Sequence, residues 1–252
     1  PLVLLLHGFP EFWYGWRRQI PALAAAGFRV LAPDQRGYNL SDKPRELSAY
    51  RLDVLAADAL GLIDAAGRER AFVVGHDWGA MVAWWLALVT PQRVERLAIL
   101  NVPHPHVARR HLMSDPEQQK RSTYAAFFQL PWLPEVALRA GDWRATEKAM
   151  RASSRPGTFS DADMEEYRRA WSRPGAMTAM LNWYRAQLQR PMADWPESRV
   201  VVPTTIIWGL KDFALRDVMA AESAAECDDA ELIELPDNTH WVQHEAPELV
   251  NE

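Results

Sequence analysis

Apolar residues gather along this chain into short, nearly continuous runs at residues 2–6, 28–32, 71–74, 97–100, 204–208 and 231–235. Runs of that kind predict strands, and the helical stretches between most of the early ones predict a mostly parallel sheet flanked by helices on both faces, an α/β fold. Between about residues 104 and 196 the strand rhythm stops. The text there is helical, aromatic and broken by prolines, as in Phe127-Phe128-Gln129-Leu130-Pro131-Trp132-Leu133-Pro134. This predicts a core formed by residues 1–103 and 197–252 and a helical lid, 104–196, inserted before the strand at 204–208. Polar residues fall just after the predicted strands: His7-Gly8, Asp34, Asp77, Asn101, Asp212 and His240. Ligands of such sheets bind beyond the carboxyl ends of the strands, so these groups are expected on one rim.

Composition narrows the function. The 252 residues are 48% apolar, enough for a large core, and carry a net charge of −5 with no dense basic cluster, which argues against nucleic acid as a partner. No apolar stretch is long enough to span a membrane and no signal peptide is visible. The single cysteine, Cys227, excludes an intrachain disulfide and fits a reducing, cytoplasmic setting. Asn39-Leu40-Ser41 matches a glycosylation sequon, read as chance. The chain opens inside a strand at Pro1 and stops early in a helix at Asn251-Glu252, and so reads as cut at both ends. A monomer or homodimer is expected.

The densest chemical signal is Gly75-His76-Asp77-Trp78-Gly79-Ala80, set between the strand at Phe72-Val73-Val74 and an apolar helix beginning near Met81. Strand, sharp turn and helix form a nucleophile elbow with aspartate in the slot that serine often fills. Glycines flank it because the central residue takes a strained backbone and the strand passes close to the helix. Aspartate selects a reaction class. A serine that attacked saturated carbon would leave an ether inert to water, whereas a carboxylate leaves an ester that water can cleave.

Downstream, Trp208-Gly209-Leu210-Lys211-Asp212 places an acid at a strand end, and Asn238-Thr239-His240-Trp241 supplies a histidine. Nucleophile, acid, histidine is the chain order of α/β-hydrolase triads; His240 would activate water, with Asp212 orienting its ring. The backbone N–H groups of Phe9, in Leu6-His7-Gly8-Phe9-Pro10, and of Trp78 are placed to receive an oxyanion formed on the aspartyl ester. A cis Phe9-Pro10 bond fits that turn. No cofactor is needed. No metal-ligand spacing appears either: His104-Pro105-His106 reads as a loop, for want of further clustered ligands.

His7-Gly8-Phe9-Pro10-Glu11-Phe12-Trp13, Asp34-Gln35-Arg36-Gly37-Tyr38, the elbow, Phe128-Gln129-Leu130-Pro131-Trp132-Leu133-Pro134-Glu135 and Leu181-Asn182-Trp183-Tyr184-Arg185 together resemble the α/β-hydrolase-fold epoxide hydrolases across essentially the whole chain. The resemblance implies a hydrolase converting small apolar epoxides and water to vicinal diols. It also implies two lid tyrosines that bind the epoxide oxygen and protonate the alkoxide, at positions matching Tyr124 and Tyr184. Substrate contacts are expected from Phe9, Pro10, Trp78, Trp132, Trp183 and Trp241. One departure is Asn39, where relatives carry a small residue or glycine.

Two other readings stay open. A haloalkane or haloacid dehalogenase uses the same aspartate, acid and histidine. Haloalkane enzymes, however, typically carry a polar amide where this chain has Phe9, and haloacid enzymes carry arginines at the positions of Trp78 and Met81. The other reading is a non-catalytic receptor for small apolar ligands on the same fold, although such descendants usually lose a triad member. An esterase lacks its serine.

Overall fold

The computed structural model describes residues 1–188, 196 and 199–252. Six strands, β1 (Leu2–Leu6), β2 (Arg29–Leu31), β3 (Ala71–His76), β4 (Val94–Leu100), β5 (Thr204–Gly209) and β6 (Ala230–Leu235), form one sheet in the order β2-β1-β3-β4-β5-β6. Every pair is parallel, with Leu4 opposite Leu31 and Val73, Ile99 opposite Gly75 and Ile206, and Trp208 opposite Glu234. All five residues of β1 are buried. Leu2, Leu4 and Leu6 join the core on one face, and Val3 and Leu5 join the other with Trp16, Ile207 and Val242. A strand buried on both faces has no polar alternation to keep, which is why it reads as unbroken leucine and valine.

The connecting helices are α1 (Gln19–Ala25), α2 (Leu52–Ala65) and α3 (Trp78–Val89), followed after β4 by α4 (Pro105–Ser114), α5 (Pro116–Arg121), α6 (Thr123–Phe127), α7 (Leu133–Arg139), α8 (Arg144–Ala152), α9 (Asp161–Trp171) and α10 (Ala176–Leu188). Then come α11 (Val218–Ala225), α12 (Val242–Glu245) and α13 (Pro247–Asn251). β3, β5 and β6 run one or two residues beyond the expected ranges, and β2 and β4 shift at their starts. β2 loses Phe28, whose N–H bonds Leu23 O at the end of α1 (3.0 Å), while β4 starts at Val94, which pairs with Ala71 next to a register shift at Ala71/Phe72.

Helices α4 to α10 fill the segment expected to be helical. They are tied to loops at the carboxyl ends of the strands by Arg121 Nη1 to Asp212 O (3.0 Å), Trp171 Nε1 to Pro10 O (2.6 Å) and Trp183 Nε1 to Arg36 O (2.9 Å). The expected end of this segment, between 196 and 197, involves a residue outside those described. Asn39 adopts φ 38°, a left-handed conformation that asparagine tolerates better than most residues, and its Nδ2 bonds Asp34 Oδ2 at 2.9 Å. Among the described residues no helix is long and apolar enough to cross a membrane.

Candidate active site

The turn from β3 into α3 holds Asp77 at φ 50°, a backbone costing of order 1–3 kcal/mol for a side chain of this kind. Its neighbours leave no room for anything but glycine. A Cβ on Gly75 would lie 2.5 Å from Ala80 Cα, and one on Gly79 would lie 2.0 Å from Leu6 O. The elbow is locked as Ala80 N–H and Met81 N–H both donate to Asp77 O (3.0 and 3.2 Å).

The Asp77 carboxylate looks into the space above the sheet and keeps 17% of its side-chain surface accessible, so a small molecule can reach it. Oδ1 accepts the Phe9 N–H at 2.7 Å, and Oδ2 stands 3.5 Å from His240 Nε2. The Phe9-Pro10 bond is cis, as the sequence suggested. Trp78, the first residue of α3, makes no hydrogen bond from its N–H to that carboxylate. Burial disfavours the Asp77 charge, but His240, then His76 and the Phe9 N–H, outweigh it and hold the pKa below the ordinary value.

Beyond β5, Asp212 is fully engaged. Its Oδ1 accepts the N–H groups of Ala214 (2.7 Å) and Leu215 (3.0 Å), while its Oδ2 lies 2.7 Å from His240 Nδ1 and accepts Asn101 Nδ2 at 2.9 Å. With Asp212 fixing Nδ1, Nε2 of the ring is left facing Asp77. Burial resists the charge on His240, yet the Asp212 carboxylate and then Asp77 overcome it and raise the pKa to about 10.

The sequence marks Asn101 only as a polar group at a strand end. It sits at φ 52°, and besides holding Asp212 it accepts the Gly209 N–H through Oδ1 (2.9 Å). A second group with no expected role lies behind His240. His76 Nε2 is 2.8 Å from the His240 carbonyl, and His76 Nδ1 is 3.4 Å from Glu11 Oε2. Glu11, 1% exposed, also meets His244 Nε2 (2.6 Å), the Tyr167 hydroxyl (2.5 Å) and Gln243 Nε2 (2.9 Å). Burial favours the neutral acid, but His244 and His76 hold Glu11 well below the ordinary carboxylate range. The only clue in the sequence was a charged residue inside an aromatic run.

Both expected tyrosines lie near enough to feel the Asp77 charge. The Tyr184 ring stands edge-on to Trp78 at 4.9 Å and to Phe9 at 5.4 Å, and Tyr124 lies 6.1 Å from Tyr184. Burial raises the pKa of each first, followed by the Asp77 charge, so both phenols stay protonated. Phe128 closes the aromatic wall, 5.4 Å from Phe9 and 5.0 Å from Tyr184.

The other expected contacts differ in burial. Trp132 is 68% exposed, at the amino end of α7 in a left-handed turn (φ 53°) that carries it to the surface. Trp183 is fully buried and turns its indole to Arg36 O; Trp241, 3% exposed, packs 5.3 Å from the His240 ring and donates to Ser153 Oγ (3.0 Å). Pro10 is buried beneath Trp171 Nε1, which bonds its carbonyl. These three support the site's walls. Among the described residues the side chains grouped closely enough to share a metal ion are His104, His106 and Glu226, outside this site.

A sequence profile of the alpha/beta hydrolase fold matches residues 1–247. The chain is 48% identical over 252 residues to the AB hydrolase superfamily protein YfhM of Bacillus subtilis (strain 168), covering 100% of this chain and 88% of that protein. It is 35% identical over 257 residues to epoxide hydrolase 4 of Mus musculus, covering 100% of this chain and 71% of that protein. Among solved structures, an epoxide hydrolase of Bacillus megaterium in complex with an inhibitor superposes with a TM-score of 0.89 at 32% identity, over 99% of this chain and 90% of that one.

Proposed function

The chain belongs to the α/β-hydrolase fold family and, within it, to the epoxide hydrolases, and on that premise we propose that it converts epoxides to vicinal diols through an ester formed on Asp77. The observation that carries this reading is a carboxylate, not a hydroxyl, at the strained elbow, with His240 Nε2 3.5 Å away and two protonated phenols within reach of its charge.

In the first half-reaction an Asp77 oxygen attacks a ring carbon, the carbon–oxygen bond of the epoxide breaks, and Tyr124 or Tyr184 gives a proton to the departing alkoxide. A phenol suits this role because it donates strongly without being ionised at neutral pH. Esterification removes the Asp77 charge, one of the two anions that hold the proton on His240. That proton then restores the phenol and leaves the imidazole neutral. In the second half-reaction His240 takes a proton from water as the hydroxide adds to the ester carbonyl. The oxyanion forms where Oδ1 already accepts the Phe9 N–H, with the Trp78 N–H as second donor, and collapse releases the diol and the ionised Asp77.

Helices α4 to α10 act as a lid that excludes water from the alkylation step and supplies both tyrosines. Phe9, Trp78 and Phe128 favour an apolar substrate.

The test is intact-protein mass spectrometry of the His240→Ala variant incubated with styrene oxide, with a 1-haloalkane in parallel. An adduct of the whole epoxide on Asp77 is expected, formed on the order of 10²–10⁴-fold more slowly when Tyr124 or Tyr184 is also changed to Phe. An alkyl adduct from the halide alone, or no adduct on folded protein, overturns the proposal.

A further inference from the structure

A second set of ligand-type side chains gathers where α4 begins, against the end of α11. His104, fully buried, precedes Pro105 as the N-cap of α4; its own N–H donates to Ser223 Oγ (2.8 Å) and its Nδ1 accepts the His106 N–H at 3.3 Å. Its other ring nitrogen, Nε2, is buried without a hydrogen-bond partner. A buried imidazole nitrogen left in that state calls for an explanation, since nearly all such atoms are paired. The His106 ring lies edge-on 5.0 Å away, and Glu226 arrives from the carboxyl end of α11. One ligand atom from each of the three side chains lies within 4.8 Å of the others.

We propose that His104, His106 and Glu226 bind one divalent transition-metal ion of the zinc class, fastening the first turn of the helical insertion to α11. Two imidazoles and one carboxylate are a donor set of that class, with a fourth position left for water. Bonds of about 2.0–2.1 Å in a tetrahedron put ligand atoms about 3.3 Å apart, so the site closes by rotation of His106 and Glu226, both partly exposed, onto the anchored His104.

Coordination through Nε2 moves the ring proton to Nδ1. That gives up the contact from the His106 N–H, which is long and therefore weak. Charged neighbours leave the donor set as it is. The Arg199 guanidinium feels Glu226 but bonds Asp228 at 2.6 Å.

The metal-stripped chain is titrated with zinc chloride by calorimetry at pH 7, with magnesium chloride in parallel. One zinc and no magnesium per chain is expected, together with a rise in the thermal midpoint. The affinity falls at least about tenfold in His106→Ala and in Glu226→Gln. It is unchanged in His111→Ala, a ring already held by Asp115 (2.9 Å) and Glu222 (2.8 Å). Both test positions are partly exposed, and circular dichroism verifies the fold of each variant. No zinc uptake by folded wild type, uptake that both substitutions leave unaltered, or equal loss in His111→Ala overturns the site.

Discussion

Replacing Gly79 by alanine adds one carbon at the closest approach of α3 to β1. That carbon would lie 2.0 Å from Leu6 O, 2.4 Å from Leu6 C and 2.5 Å from His7 O, where real Cβ contacts essentially never fall under 3.0 Å. All three obstacles are main chain, at Leu6 where β1 pairs with Gly75 of β3 and at His7 directly after it, so no side chain can swing clear, and α3 has to retreat by about 1 Å. Overpacking a tight core costs about 1–3 kcal/mol and occasionally more; with only backbone to yield, about 3 kcal/mol or greater is expected. The retreat carries Asp77 with it, and a displacement of about 1 Å at a reacting group costs on the order of 100-fold in rate. Gly61→Ala is the matched comparison. Gly61 lies exposed in the middle of α2 with nothing within 4 Å of its added carbon, so alanine there stabilises by about 0.5–1 kcal/mol. Urea unfolding and turnover of styrene oxide are measured for both. The packing argument fails if Gly79→Ala unfolds within about 1 kcal/mol of wild type, or if the two substitutions shift stability in the same direction.

Asn101→Ala leaves the buried Gly209 N–H without its acceptor, removes one support of Asp212, and puts alanine at φ 52°. A loss of about 1–3 kcal/mol from the hydrogen bonds, with about 1 kcal/mol more from the backbone, is expected in urea melts. Turnover falls more steeply in the ester-hydrolysis step than in adduct formation, and equal slowing of both steps contradicts the positioning role. The raised pKa of His240 gives a signed pH dependence. A group raised from 6.5 to about 10 contributes stability in full below 6.5 and loses it as pH climbs through 10. The stability difference between wild type and His240→Gln therefore shrinks from pH 6 to pH 10, and a flat difference refutes the assignment.

Much of the site was legible because its chemistry leaves local marks: glycines bracketing Asp77, and acid and histidine directly after apolar runs. The core strands were legible because β1 is buried on both faces and carries no polar residue, and β5 follows its two threonines with the buried run Ile206-Ile207-Trp208. Side-chain direction inside the helical segment was not legible. Trp132 and Trp183 look alike in a tryptophan-rich stretch, yet a left-handed turn sends one into solvent while the other is sealed against Arg36 O. The grouping of Glu226 with His104 and His106 is not legible in the sequence, because Glu226 caps a different helix and helix packing rather than spacing brings it near. Glu11 was similarly silent, since its partners His76, Gln243 and His244 come from opposite ends of the chain.

The groups of the candidate site stand near the ends of different parallel strands, and parallel neighbours are joined only through long crossover connections. Phe9 reaches Asp77 across 68 residues, Asn101 reaches Asp212 across 111, and His76 reaches the His240 carbonyl across 164. Each contact closes a long loop before it returns any stabilisation, which makes for high contact order and slow, late assembly. During refolding the helices form early from local contacts, while the carboxylates and imidazole meet only once β5 and β6 have docked. Recovered turnover therefore lags the recovery of helical signal, and a partly folded chain carries all of these side chains without having a catalyst.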